Sequence, residues 1–146
     1  MELPTEFIID NTLTVGTIYK IVADELIGTD VPHYFIIVAI DGTDNYLTLC
    51  TSQKERIENH FKNKKLNLDG LVYIKPDKAN GLKIDTYVNC NDYYLLSKDK
   101  LVSKLESRNL QYIGQLSLNH YAQIKTGIIN SYINDIPHFL LVHPEE

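Results

Sequence analysis

HYFIIVAIDGTDNYLTLCTSQ (residues 33–53) is the stretch that decides the fold. Residues 33–41 are a continuous apolar run of strand length, rich in aromatic and β-branched side chains. Such a run predicts a central strand covered on both faces. Residues 41–45, DGTDN, are a turn cluster, and YLTLC (46–50) resumes the strand pattern, so the pair reads as a hairpin. Leu47, Leu49 and Cys50 read as interior. The run then ends in two hydroxyls and an amide, Thr51, Ser52 and Gln53. These are either the cap of a following helix or groups presented at a rim. Ser52 suits the cap, with Glu55 three residues on as capping-box partner. That assignment leaves Thr51 without a task.

Working outward, VGTIYKIVA (15–23) predicts a strand before the hairpin. After it the period changes: residues 52–63 predict a helix with Ile57 and Phe61 as a narrow apolar stripe. LVYIKP (71–76) is a strand stopped by Pro76, followed by the turn DKANG (77–81) with Gly81 as its left-handed residue. In IDTYVNC (84–90), Ile84, Thr86, Val88 and Cys90 alternate with Asp85, Tyr87 and Asn89; a short strand follows at 92–97. Two helices are predicted next, from about Ser97 and from Ser117, both good N-caps. The second has a wide apolar face, Leu118, Tyr121, Ala122, Ile124, Ile128, Ile129 and Tyr132, with Lys125 snorkelling out of it. IPHFLLVHPEE (136–146) reads as one more strand. Short strands with local turns argue for a small antiparallel barrel, and the helices make the class α+β.

A chain of 146 residues with 44% hydrophobic side chains fits one ordered domain over residues 1–146. The ten tyrosines, with no tryptophan, read first as strand formers. The acidic start MELPTEFIIDN lacks the apolar centre of a signal peptide, and no run approaches the roughly 18 apolar residues of a membrane span. A soluble, cytoplasmic protein is expected. Net charge is −5, which disfavours indiscriminate nucleic-acid binding. The distribution is uneven. Residues 54–83 hold eight basic and four acidic side chains, whereas residues 1–53 hold eight acids and one lysine. A cationic surface on an acidic body is one reading; ordinary solvated faces are the other.

Cys50 and Cys90 make neither a disulfide framework nor a zinc motif and read as small buried hydrophobes. The five histidines, His33, His60, His120, His138 and His143, lack metal-ligand spacing, so no metal and no cofactor is expected. A Cys–His nucleophile pair stays open on the sequence, although nothing singles out Cys50.

Four segments occur in an order that resembles the MazF/PemK family of toxin endoribonucleases. They are GTIYKI (16–21), LTLCTSQ (47–53), VYIKPDKANGLKIDTYVNCND (72–92), and LLSKDKLVSKL (95–105) with IGQLSLNHYAQIKTGIINS (113–131). The likeness covers about residues 15–131, leaving 132–146 as a C-terminal extension. It implies an SH3-like, mostly antiparallel barrel with helices, of the MazF/PemK/CcdB kind. It also implies a homodimer that cuts single-stranded RNA, typically mRNA, without metal, and a cognate acidic antitoxin peptide or protein that blocks the groove. The family pairs a Thr at the TSQ position with an Arg in an Arg-Pro step at the start of the second strand. Thr51 fills the first place. Pro32 and His33 stand at the second, and the usual Gly-x-Glu is absent from ADELIGTD (23–30).

That departure has a chemical consequence. Attack by a 2′-hydroxyl needs a base, an acid for the leaving oxygen and positive charge on the phosphorane. Imidazole can move protons near neutrality, so His33 joins Thr51 as the catalytic pair. Ser52, Gln53, Lys54 and Arg56 become substrate-binding candidates, with Lys54 or Arg56 supplying charge. Two readings compete: a toxin-type endoribonuclease, and a non-catalytic SH3-like module that has lost the arginine and binds a protein partner. The hairpin places His33 and Thr51 at one rim, because the start of one antiparallel strand meets the end of the next.

Overall fold

The computed structural model describes residues 3–146; Met1 and Glu2, the start of the acidic segment MELPTEFIIDN, lie outside it. The hairpin forms as its sequence dictates. Strand β2 spans His33–Asp41 and β3 spans Asp44–Thr51, with Phe35 opposite Leu49. They sit at the middle of a seven-stranded antiparallel sheet with β1 (Thr17–Ile21), β4 (Leu71–Ile74), β5 (Thr86–Asn89), β6 (Tyr94–Ser97) and β7 (Leu110–Gln115). The strand order is β4-β5-β3-β2-β1-β7, and β6 also pairs with β3. One edge of β3 therefore serves two partners. Asp44–Leu47 bonds β6, and Cys50 and Thr51 bond β5.

Five residues of β2, Phe35 to Ala39, are wholly buried. Their side chains feed two separate cores. Phe35 and Ile37 join Ile9, Tyr19, Leu47 and Leu101, while Ile36 and Val38 join Val88, Tyr121, Ile124 and Leu141. Each large side chain so buried contributes about 1.5–3 kcal/mol. The first core is covered by α1 (Thr5–Thr12) and α4 (Lys98–Glu106), the second by α5 (Leu118–Asn130) and the segment after it. A bulge between Ile37 and Ala39 breaks the β2–β3 ladder. Carbonyls near a bulge need other partners. Ile37 accepts from the Gly16 N–H at 2.7 Å, and Val38 accepts from the Tyr121 hydroxyl at 2.7 Å, which locks α5 to the sheet.

No ladder joins the outer strands β4 and β7; a loop closes the barrel instead. Asn80 is buried in the 77–81 turn, donating to the Lys75 carbonyl and accepting from Asp77 and Leu82. Gly81 adopts φ +70°, as the turn sequence predicts. The turn lies on β7, where the Gln115 N–H donates to the Ala79 carbonyl at 2.9 Å. A Cβ on Gly114 would meet the Asn80 carbonyl at 2.4 Å, so only glycine fits beneath this turn.

Several expectations are corrected. α1, the short α2 (Asp24–Ile27) and β7 are elements that the pattern did not predict. Helix α3 runs Lys54–Asn63, but its N-cap is Gln53, with no side-chain cap bond. Ser52 is not the cap; the side-chain bond at this turn is made by Thr51, whose hydroxyl accepts from the Gln53 N–H at 3.1 Å. Ile84 lies outside β5 and is exposed. The segment 136–146 forms a 3-10 turn at His138–Leu140 rather than a strand. Its Ile136, Leu141 and His143 are buried against the second core. That packing splits the predicted face of α5: Tyr121, Ile124 and Ile128 are covered by the chain itself, while Ala122, Ile129 and Tyr132 face outward. Lys125 snorkels to Glu146 at 3.2 Å.

Candidate active site

Antiparallel partners present their side chains on one face. Phe35 faces Leu49, and carrying that register two residues further sets His33 across from Thr51. Both side chains line two adjoining clefts, one on either side of Thr51. The larger holds about 400 Å³ and runs beneath α3, where Arg56 and His60 enter it. The smaller holds about 340 Å³ and is bordered by Ser52 and Lys83. Gln53 lines both. The structure therefore brings together His33, Thr51, Gln53 and Arg56, with Ser52 on the far side. Lys54 lines neither cleft; it borders a more open depression along α3 that shares Gln53, Arg56 and His60 with the larger cleft.

Each group is already oriented. His33 Nδ1 lies 2.8 Å from the Val31 carbonyl. Only an N–H can serve that contact, so in the neutral ring the lone pair is on Nε2. Thr51 Oγ1 accepts from the Gln53 backbone N–H, which leaves its own O–H free to donate. Arg56 Nη1 donates to Gln53 Oε1 at 3.4 Å, tying the guanidinium to the same turn. Of the two arginines in the chain, Arg56 and Arg108, it is Arg56 that lines the cleft. A carboxylate is present as well: Asp92, itself exposed, lines the cleft and accepts from Asn89 at 3.1 Å.

His60 was not among the candidates. Its signal was available: Arg56 and His60 are four residues apart on one helix and so share a face. The LTLCTSQ motif ends at Gln53, and the apolar stripe of Ile57 and Phe61 by itself marks only the packing face of α3. Cys50 leaves the candidate chemistry. It is buried, and burial pushes its thiol up to about 12, so no thiolate forms near neutrality. Among the described residues no three His, Cys, Asp or Glu side chains converge to hold a metal ion, and no helix is long and apolar enough to cross a membrane.

No family model matches the chain, and no curated protein matches it in sequence. Solved structures do match. One is the Mycobacterium tuberculosis toxin MazF-mt6, 16% identical, with a TM-score of 0.50; the match covers 82% of this chain and 99% of that one. Seven antiparallel strands and five helices among the described residues, in this arrangement, make the fold of this chain MazF-like.

Proposed function

We propose that the chain is a toxin-type endoribonuclease that cuts single-stranded RNA without metal. One observation carries the reading. A proton acceptor (His33 Nε2), a hydroxyl donor (Thr51), a guanidinium (Arg56) and a second imidazole (His60) line one cleft. Its volume is within the roughly 300–1,000 Å³ of small-molecule sites. His33 Nε2 takes the proton of a ribose 2′-hydroxyl as its oxygen attacks the adjacent phosphorus. Thr51 O–H donates to a non-bridging oxygen, and Arg56 balances the charge that builds there. The P–O5′ bond breaks, and the leaving oxygen takes a proton from the charged imidazole of His60. The products are a 2′,3′-cyclic phosphate and a 5′-hydroxyl. Arg56, arriving from α3, supplies the charge that the family places at the start of its second strand.

The rest of the reading follows the fold. The chain works in the cytoplasm as a homodimer, and an acidic antitoxin peptide or protein blocks the cleft. The charge split along the sequence favours such a partner. The competing reading, a non-catalytic module that binds a protein, is favoured by His33 standing where the family has Arg-Pro, and by the Asp92 carboxylate lining the cleft.

Purified protein incubated with a defined single-stranded RNA in EDTA separates the two. Cleavage that leaves cyclic phosphate ends is expected. Intact RNA together with binding of an acidic peptide would replace the enzyme with the module.

A further inference from the structure

The cross-strand register extends the site in a direction the clefts do not show. Thr51 pairs with Tyr87 on β5, and Tyr87 pairs with Tyr73 on β4. His33, Thr51, Tyr87 and Tyr73 therefore stand in one row across four strands, on one face of the sheet. At about 4.8 Å per strand the row is roughly 14 Å long. Its inner neighbours, Cys50, Val88 and Val72, point the other way into the core. The two tyrosine rings lie 5.5 Å apart between centroids, tilted by 34°. Tyr73 is 43% exposed. Its hydroxyl donates to Asp85 at 2.9 Å, which fixes the ring and leaves an exposed carboxylate at the end of the row. Lys75 follows Tyr73 by two residues and is exposed, and Lys83 borders the cleft at Thr51.

We infer that Tyr87 and Tyr73 form a stacking platform for the nucleobases next to the phosphate held at Thr51. This rests on the endoribonuclease reading and gives its substrate a binding surface. A cross-strand aromatic pair stabilises an edge hairpin wherever it occurs. Here Tyr73 is exposed and Tyr87 is half-buried beside it, and the pair is continuous with the proton-transfer groups and flanked by ammonium groups. Stacked aromatics beside cations are how proteins hold single strands whatever the base, because every base offers a π-face. The platform therefore sets affinity for unpaired RNA rather than for a sequence. A duplex, with its bases already stacked, does not use it.

The test uses binding, so it does not depend on cleavage. A fluorescently labelled 2′-O-methyl RNA hexamer cannot be cut, because the attacking hydroxyl is blocked. A second strand of the same length carries abasic residues and keeps every phosphate. Anisotropy of the whole protein with each strand gives the affinities. Tyr73→Ala and Tyr87→Ala are each expected to weaken hexamer binding about tenfold. Tyr73→Phe and Tyr87→Phe keep the ring and stay near wild type. The abasic strand binds wild type and the alanine variants alike. If Tyr87→Ala fails to fold, Tyr73→Ala and the abasic comparison still decide. Hexamer binding unchanged in Tyr73→Ala, or equal to that of the abasic strand in wild type, overturns the platform and leaves the nuclease standing. No binding of either strand to wild type overturns both.

Discussion

The imidazole of His33 enters the cleft with one nitrogen already committed to the Val31 carbonyl. A ring held this way presents one defined lone pair, which is what a base requires and what a loose surface histidine lacks. His33→Ala should reduce cleavage about 100- to 10,000-fold. Thr51→Ala should reduce it at every pH, because a hydroxyl does not titrate in the working range. Single-turnover assays of both variants check this, and a loss below about threefold in His33→Ala removes the residue from the mechanism. Glu146 gives a second prediction. The Lys125 ammonium and the His143 N–H hold its carboxyl below the ordinary value of 4.5. A depressed carboxylate contributes stability that is complete above the unfolded pKa and lost as pH falls through the folded one. Urea midpoints should therefore drop more in wild type than in Glu146→Gln between about pH 5 and pH 3, and the two proteins should converge at the acid end.

At the scale of elements, three serines look alike in sequence and differ in the fold. Ser97 and Ser117 cap α4 and α5, accepting from the backbone N–H groups of Lys100 and His120 at 3.2 Å. Ser52 caps nothing. Alanine at 97 or 117 should cost about 1 kcal/mol each, and alanine at 52 close to nothing, measured by urea unfolding. The same contrast shows what a pattern can reveal. β2, β3 and α5 were legible because a long apolar run or a capped amphipathic stretch fixes its own structure. β7 was not: in LQYIGQ (110–115) it is Leu110 and Gly114 that turn inward, and a strand that buries a glycine against a passing turn carries no apolar alternation. α1 was missed because its eight residues bury one side chain fully, Ile9. His33 and Thr51 were legible through the hairpin register. His60 was legible only as sharing a helix face with Arg56, and Tyr87 was not legible at all, since the approach of both to Thr51 depends on how α3 and β5 pack.

Across the whole molecule, the segment after α5 belongs to the core rather than extending from it, since Ile136 and Leu141 are buried there. The end of α5 and the segment after it also leave Ile129, Tyr132, Ile133, Phe139 and Val142 exposed. A homodimer through these residues should sediment as a dimer at tens of micromolar, the order at which weak interfaces assemble, and Ile133→Glu should return it to monomer. Monomer alone in wild type at that concentration counts against it. The sheet order has a consequence in time. The hairpin β2–β3 closes across a turn of two residues, Gly42 and Thr43. The β1–β7 ladder joins positions as far apart as Thr17 and Gln115, which are 98 residues apart. Such distant pairings must meet before they are rewarded, so refolding should take milliseconds to seconds, as in other sheets built on non-local contacts. Until β7 docks on β1, the 77–81 turn has no strand to lie against. In order of synthesis, the hairpin that carries His33 and Thr51 is complete well before the strand that closes the barrel around it.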